Sequence, residues 1–352
     1  MRGGGPVKIA LVLGSGGARG YAHIGVIEEI KRRGHEIVAI SGTSMGAVIG
    51  GLEAAGKLDE FADWATGLTQ LDVLRLYDLA LAQPGIIKAD KIFSTIGSIL
   101  EHVAIEDLDI PFTAVAADIV NHREVWFQRG SLETAMRASC ALPTFITPVM
   151  INGKILADGG LINPVPVEPT AAIPSDLTIA VSLSGRPSTI PAASYFDAGS
   201  DDPDESRQSL TDRLRRGVAG LIDVGLFWRE QDRQSEPEDT AVEAEALPQG
   251  DGEADAPAPA GERSRDESST ARTPPPFEVG QLPPDLNTMG VVNMSLETMQ
   301  SMIERFRAAA SPVNIKIEIP AAVSGTLDFH KAAEVIEVGR QMAMTALDEA
   351  GI

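Results

Sequence analysis

The sequence predicts an α/β fold built on a mostly parallel central sheet with helices on both faces. Three observations predict it. Short apolar runs recur between Val7 and Leu183, helical segments separate them, and glycine-rich turns join the first two runs to the helices that follow. Strands buried on both faces read as continuous apolar runs, and strand alternating with helix is the pattern of a parallel sheet. A chain of 352 residues with one cysteine, Cys140, can bury a large core without disulfide staples.

Val7 to Leu13 is the first strand, followed by a glycine-rich turn and a helix carrying Ile24, Ile27 and Ile30. Glu36 to Ser41 is the second. It runs into Gly42-Thr43-Ser44-Met45-Gly46 and then a helix of small residues through Ala47, Val48, Ile49, Leu52 and Ala54. Leu71 to Leu100 reads as helical pieces joined by a bend at Pro84-Gly85, outside the sheet and part of a cap. Phe112 to Ala116 and Leu177 to Leu183 are further buried strands, and Leu210, Leu214, Val218, Leu221 and Ile222 recur at helical spacing up to Phe227. Order is expected to resume near Pro283, with a helix carrying Leu296, Met299, Ile303 and Phe306. An alternating strand, Val313 to Ile319, follows, and the last helix, Phe329 to Leu347, carries Ala332, Val335, Ile336, Gly339 and Met342 along one face. Methionines at that spacing read as core packing.

The net charge of −21 excludes nucleic acid as a partner, because phosphate binding needs a basic face. The charge is uneven. Glu230 to Glu278 holds 14 acidic and 4 basic residues among Ala, Pro, Ser and Gly, a composition with little to bury that is expected to be a disordered, solubilising linker. No apolar run reaches the roughly 18 residues of a membrane span and no leader segment is visible. The expected location is therefore cytoplasmic, or peripheral at a membrane surface.

Three motifs carry chemistry. Ser44 stands in a G-x-S-x-G setting between a strand and a helix, where a tight turn can expose a serine hydroxyl as a nucleophile. Gly14-Ser15-Gly16-Gly17-Ala18-Arg19-Gly20 follows the first strand and opens the first helix. A dinucleotide reading of this loop fails at the end of the second strand, where Ser41-Gly42 replaces the acidic residue a ribose needs. A nucleotide P-loop fails for want of Lys-Ser/Thr, since Arg19-Gly20-Tyr21 stands there. Converging backbone N–H groups can instead stabilise the oxyanion formed when a serine attacks an ester. The third motif, Asp158-Gly159-Gly160, ends a short apolar stretch, Ile155 to Ala157, and could reach the serine.

Together these motifs closely resemble the patatin-like phospholipase family, especially its bacterial branch. Ala138-Ser139-Cys140-Ala141-Leu142-Pro143 and Asp328-Phe329-His330 also look like that group. The resemblance implies a three-layer α/β/α patatin-like fold and a serine lipid acyl hydrolase; no cofactor is expected, and no metal, since no compact His/Asp/Glu ligand cluster accompanies the serine turn in the sequence. Ser44 would be the nucleophile and Asp158 its base, with Gly16 and Gly17 as the oxyanion hole. Ser15, Ala18, Arg19, Gly20, Gly42, Gly46, Gly159 and Gly160 would form the supporting loops. Ser15 departs from the first glycine of the usual G-x-G-x-x-G form, with little effect if the donors are backbone N–H groups. The expected division is a main catalytic part over 1–228, the acidic linker over 229–282, and a C-terminal part over 283–352 that completes the same domain. The expected partners are a phospholipid, lysophospholipid or other acyl ester, transient contact with a membrane surface, and a second copy of the chain if the cap helices pack a dimer.

Alternatives stay open at this point. A Ser-Asp-His hydrolase could draw on His23, His35, His102, His122 or His330. Cys140 could be a nucleophile, although its apolar setting suits an inert buried thiol. A nonenzymatic lipid-binding or regulatory protein on the same fold is the third.

Overall fold

The first strand, β1 (Lys8–Leu13), is an interior strand of the sheet, paired along both edges, and every residue after Lys8 in it is buried. The computed structural model describes residues 5–76, 89–143, 145–185 and 288–352. The acidic segment 229–282, the helix expected up to Phe227 and the bend at Pro84-Gly85 lie outside the described residues. The sheet belongs to one of two units, Met1–Asp201 with Val292–Ile352; the other, Asp202–Val291, falls almost wholly outside the described residues.

After β1 the chain forms α1 (Ala22–Arg32) and β2 (Glu36–Thr43), which pairs parallel with β1. Next come α2 (Met45–Ala54), α3 (Leu58–Thr66), α4 (Gln70–Leu76) and α5 (Asp90–Leu100), then β3 (Phe112–Asp118), parallel to β2. A hairpin partner, β4 (Arg123–Phe127), leads to α6 (Leu132–Ser139) and the short strands β5 (Val149–Ile151) and β6 (Lys154–Asp158). β7 (Leu177–Gly185) lies parallel on the free side of β1. Finally α7 (Thr288–Ala310) precedes β8 (Ile315–Pro320), parallel to β7, and α8 (Ala332–Ala350). Among the described residues eight strands make one mixed sheet, in the order β5-β6-β3-β2-β1-β7-β8 with β4 also on β3.

The sequence reading marks no strand at β4, β5 or β6. These are antiparallel pieces at the margin, three to five residues long and partly exposed in β4 and β5, too short for periodicity to separate them from loops. The last helix starts at Ala332; the expected first turn, Phe329–Lys331, is a tighter 3-10 turn.

β3 sets the geometry that matters most. β4 occupies one of its edges from Ala114 to Asp118. The other edge is shared end to end: β2 pairs with it as far as Thr43 opposite Val115, and β6 takes over with Asp158 opposite Ala116. The residue after Thr43 and the last residue of β6 are thereby brought side by side.

Alternation along β2 assigns its faces. Ile40 packs at Gly50 of α2, whereas the hydroxyls of Ser41 and Thr43 reach the opposite face and donate to the carbonyls of Pro166 and Asn163. α7 covers that second face. Its Arg307 donates to the Ile162 carbonyl and pairs with Glu124 and Glu168, and its Glu304 accepts from Ser184.

α1 and α8 cross at unusually close range. A Cβ on Gly25 would fall 2.0 Å from the Ile336 carbonyl oxygen, and one on Gly339 the same 2.0 Å from that of Ala22. Only hydrogen fits on either side. Gly339→Val is accordingly expected to lower the free energy of unfolding by about 3 kcal/mol; a urea midpoint unchanged from the parent would contradict this packing.

Candidate active site

β2 passes into α2 through one residue. Thr43 ends the strand, Met45 starts the helix, and Ser44 between them adopts φ 56°, ψ −125°. A non-glycine residue there costs about 1–3 kcal/mol and persists only where its surroundings enforce it. Gly42 and Gly46 allow the enforcement. A Cβ at Gly42 would sit 2.3 Å from the Gly46 carbonyl oxygen, and one at Gly46 2.1 Å from that of Leu13, so helix and strands close tightly under the serine.

Asp158 ends β6, and its carboxylate turns back over the next residues, Oδ1 accepting from the Gly160 N–H at 2.7 Å. Its own N–H donates to the Ala141 carbonyl at 2.9 Å. The side chain is almost wholly buried, and burial raises its pKa to about 6 against the opposing influence of hydrogen bonding to Ser44 and Gly160. The neighbouring Cys140 thiol is pushed far the other way from reactivity: burial first, then the charge of Asp158, raises its pKa.

The glycine-rich loop is pinned from several directions. Ser15 N–H donates to the Pro164 carbonyl at 2.8 Å and Ala18 N–H to that of Thr326 at 2.9 Å. The N–H groups of Gly16 and Gly17 enter no backbone hydrogen bond among the described residues, and both glycines line the cleft that holds Ser44 and Asp158. Arg19 is buried beside them; its Nε donates to the Gly16 carbonyl at 3.1 Å and its terminal nitrogen pairs with Glu297 at 2.9 Å. Glu297 also accepts from the Thr326 hydroxyl at 3.1 Å. His23 lies behind the loop, one ring nitrogen 2.9 Å from the Gly14 carbonyl, and burial lowers its pKa to about 4, so it is neutral near pH 7.

The cleft encloses about 1200 Å³, its open mouth included, and its walls are apolar: Phe61, Trp64, Val73, Phe93, Ile96 and Leu296 among them. None of the five histidines lines it. His35 accepts from the Val7 N–H, and His102 stands beside Glu133. Among the described residues no cluster of His, Cys, Asp and Glu is placed to hold a metal ion, and no helix is long and apolar enough to cross a membrane.

Ser44, Asp158, Gly16 and Gly17 thus share one cleft. Ala18 and Arg19 hold the loop to α7 and to Thr326, while Gly20 packs under Met45. Sequence reasoning missed Ser139, whose hydroxyl accepts from the Ser44 N–H at 2.9 Å, and missed Glu297 and Thr326. Ser139 and the Asp328 turn carried a signal only as stretches that looked like the bacterial branch.

Comparison with known proteins gives the family. Residues 11–171 match the model of the patatin-like phospholipase family. An uncharacterized NTE family protein of Mycobacterium bovis is 42% identical over 351 residues, covering 99% of this chain and 93% of its own length, and a counterpart in Mycobacterium tuberculosis matches equally. The mouse patatin-like phospholipase domain-containing protein 7 is 32% identical over 197 residues, 54% of this chain but 14% of that much longer protein. The chain belongs to the patatin-like phospholipase family, a family of lipid acyl hydrolases.

Proposed function

We propose that this protein hydrolyses carboxylic esters of phospholipids or lysophospholipids through a Ser44-Asp158 dyad and an acyl-enzyme, visiting a lipid surface from the cytoplasm. The observation that carries the reading is a serine on a strained strand-to-helix turn beside a buried aspartate, in an apolar cleft lined by no histidine.

Asp158 takes the proton from Ser44 Oγ as it attacks the ester carbonyl, and the N–H groups of Gly16 and Gly17 receive the oxyanion. One such donor is typically worth about 2.7–4 kcal/mol of transition-state stabilisation. Collapse breaks the bond to the alcohol, which leaves with the proton from Asp158. Water then gives a proton to the same carboxylate and attacks the acyl group; the second collapse returns that proton to Ser44 and frees the fatty acid. A carboxylate with a pKa of about 6 is ionised near neutral pH yet more basic than an ordinary aspartate, which suits both directions of transfer.

The apolar walls favour a fatty acyl chain at about 0.8 kcal/mol per buried CH₂. Leu296→Ser is expected to lower kcat/KM for a long-chain ester about tenfold while leaving a butyrate ester nearly unaffected; equal losses for both would argue against an acyl site at this wall. The test of the function as a whole is mass-spectrometric identification of acids released from a mixed lipid extract. No release beyond that of a Ser44→Ala control would refute it.

A further inference from the structure

We propose that Ser139 is a positioning residue for the dyad, an inference that rests on the reading just given. Its hydroxyl closes a break in the sheet at the point where the two reacting side chains meet.

The break follows from the register. Thr43 is the last residue of β2 to pair with β3, opposite Val115, and Asp158 of β6 takes the next place, opposite Ala116. Continuing the β2–β3 ladder would send the Ser44 N–H to the Val115 carbonyl. The positive φ of Ser44 turns that N–H away, so a donor and an acceptor in the buried sheet both lose their rung. Ser139 supplies the missing link: its Oγ accepts from the Ser44 N–H at 2.9 Å and donates to the Val115 carbonyl at 2.6 Å. The residue is fully buried, and as the last residue of α6 it comes from a helix fixed at its start by Ser131, whose hydroxyl caps the Thr134 N–H. A serine near a helix end commonly bonds back to its own preceding turn; this one reaches across to the sheet.

The same segment holds the other partner. Two residues on, the Ala141 carbonyl accepts the Asp158 N–H at 2.9 Å, with Cys140 between them on the cleft wall. Ser139 to Ala141 is therefore bonded to the backbones of both reacting residues, and it fixes how far the serine hydroxyl stands from the carboxylate. Without the Ser139 hydroxyl, two buried backbone groups are left unpaired, a penalty that the Ser44 turn can relieve by rotating.

The test compares full-length Ser139→Ala and the nearly isosteric Ser139→Cys with the parent, using p-nitrophenyl butyrate turnover, the second-order rate of fluorophosphonate labelling, and thermal melts that confirm folding at the assay temperature. Misplacing reacting groups by about 1 Å can cost on the order of 10²-fold. The expected result is a fall of about 30- to 100-fold in kcat and in labelling rate, with KM within about twofold of the parent. A folded Ser139→Ala with kcat near the parent value overturns the inference, as does a loss confined to KM or to thermal stability. Should the alanine variant not fold, Ser139→Cys decides by the same criteria. Ser44→Ala runs alongside: if it retains turnover, the dyad reading and this inference both fall. If it is inactive while Ser139→Ala and Ser139→Cys keep full kcat, only the positioning role falls.

Discussion

Ser44→Ala is expected to abolish ester turnover, with kcat falling by at least about 10⁴-fold, and to eliminate labelling by a fluorophosphonate. The size of the effect comes from removing the only atom proposed to form the acyl bond; the cleft's remaining donors can still bind an ester but have nothing to attack it with. The fold should be almost indifferent, because Ala at this turn keeps the same backbone conformation and removes one oxygen without opening a large cavity. A companion change separates strain from chemistry. Ser44→Gly should be equally inactive yet more stable, by roughly 1 kcal/mol or more, because glycine tolerates a positive φ that serine does not. A Ser44→Ala preparation with parent-level turnover, free of contaminating esterase, would eliminate the proposed mechanism.

Asp158→Asn is expected to be nearly as inactive and, at neutral pH, measurably more stable than the parent. The amide keeps the acceptor for the Gly160 N–H but cannot take a proton. The stability gain follows from the raised pKa. An unfolded aspartate titrates near 4, and in the folded protein this one titrates at about 6, chiefly because it is buried. Between those values the folded state holds a proton that the unfolded state has lost. Stability therefore falls as pH rises through this window, and above it the ionised side chain costs on the order of 2–3 kcal/mol. Replacing it with a neutral amide removes that cost above pH 6 and changes little below pH 4. Melting curves of parent and variant should converge in acid and separate at neutral pH; a gap independent of pH would contradict the assigned shift. The same titration sets the acid limb of activity. Since only the carboxylate form can serve as the base, kcat/KM of the parent should decline below about pH 6, and a limb near pH 4 would show that the group is not perturbed in the free enzyme.

What the sequence disclosed and what it withheld divide along physical lines. The turn at Gly42 to Gly46 was legible because its requirements are local: a strand, a serine and two residues without a Cβ, all within reach of one another. The central strands were legible because burial on both faces leaves a continuous apolar run, as in Ile9 to Leu13. Asp158 could be singled out by its flanking glycines, yet its placement beside Ser44 depends on β6 replacing β2 along β3, a matter of register between segments more than a hundred positions apart that no local pattern encodes. Ser139 is a single hydroxyl at a helix end, and although its stretch resembled the family, nothing in the sequence said what that hydroxyl bonds. Glu297 looks like any acidic residue on an exposed helix, and its pairing with Arg19, separated from it by 278 positions, exists only once α7 is in place.

That long separation bears on how the protein comes into being. During synthesis the glycine-rich loop leaves the ribosome well before Glu297 and Thr326, which grip Arg19 and Ala18. A nascent chain that already carries Ser44 still lacks the clamp on the loop facing it, and α1 still lacks α8. The proposed ester hydrolysis is thereby expected only of chains synthesised past Thr326, and products that stop earlier carry Ser44 without a completed cleft around it.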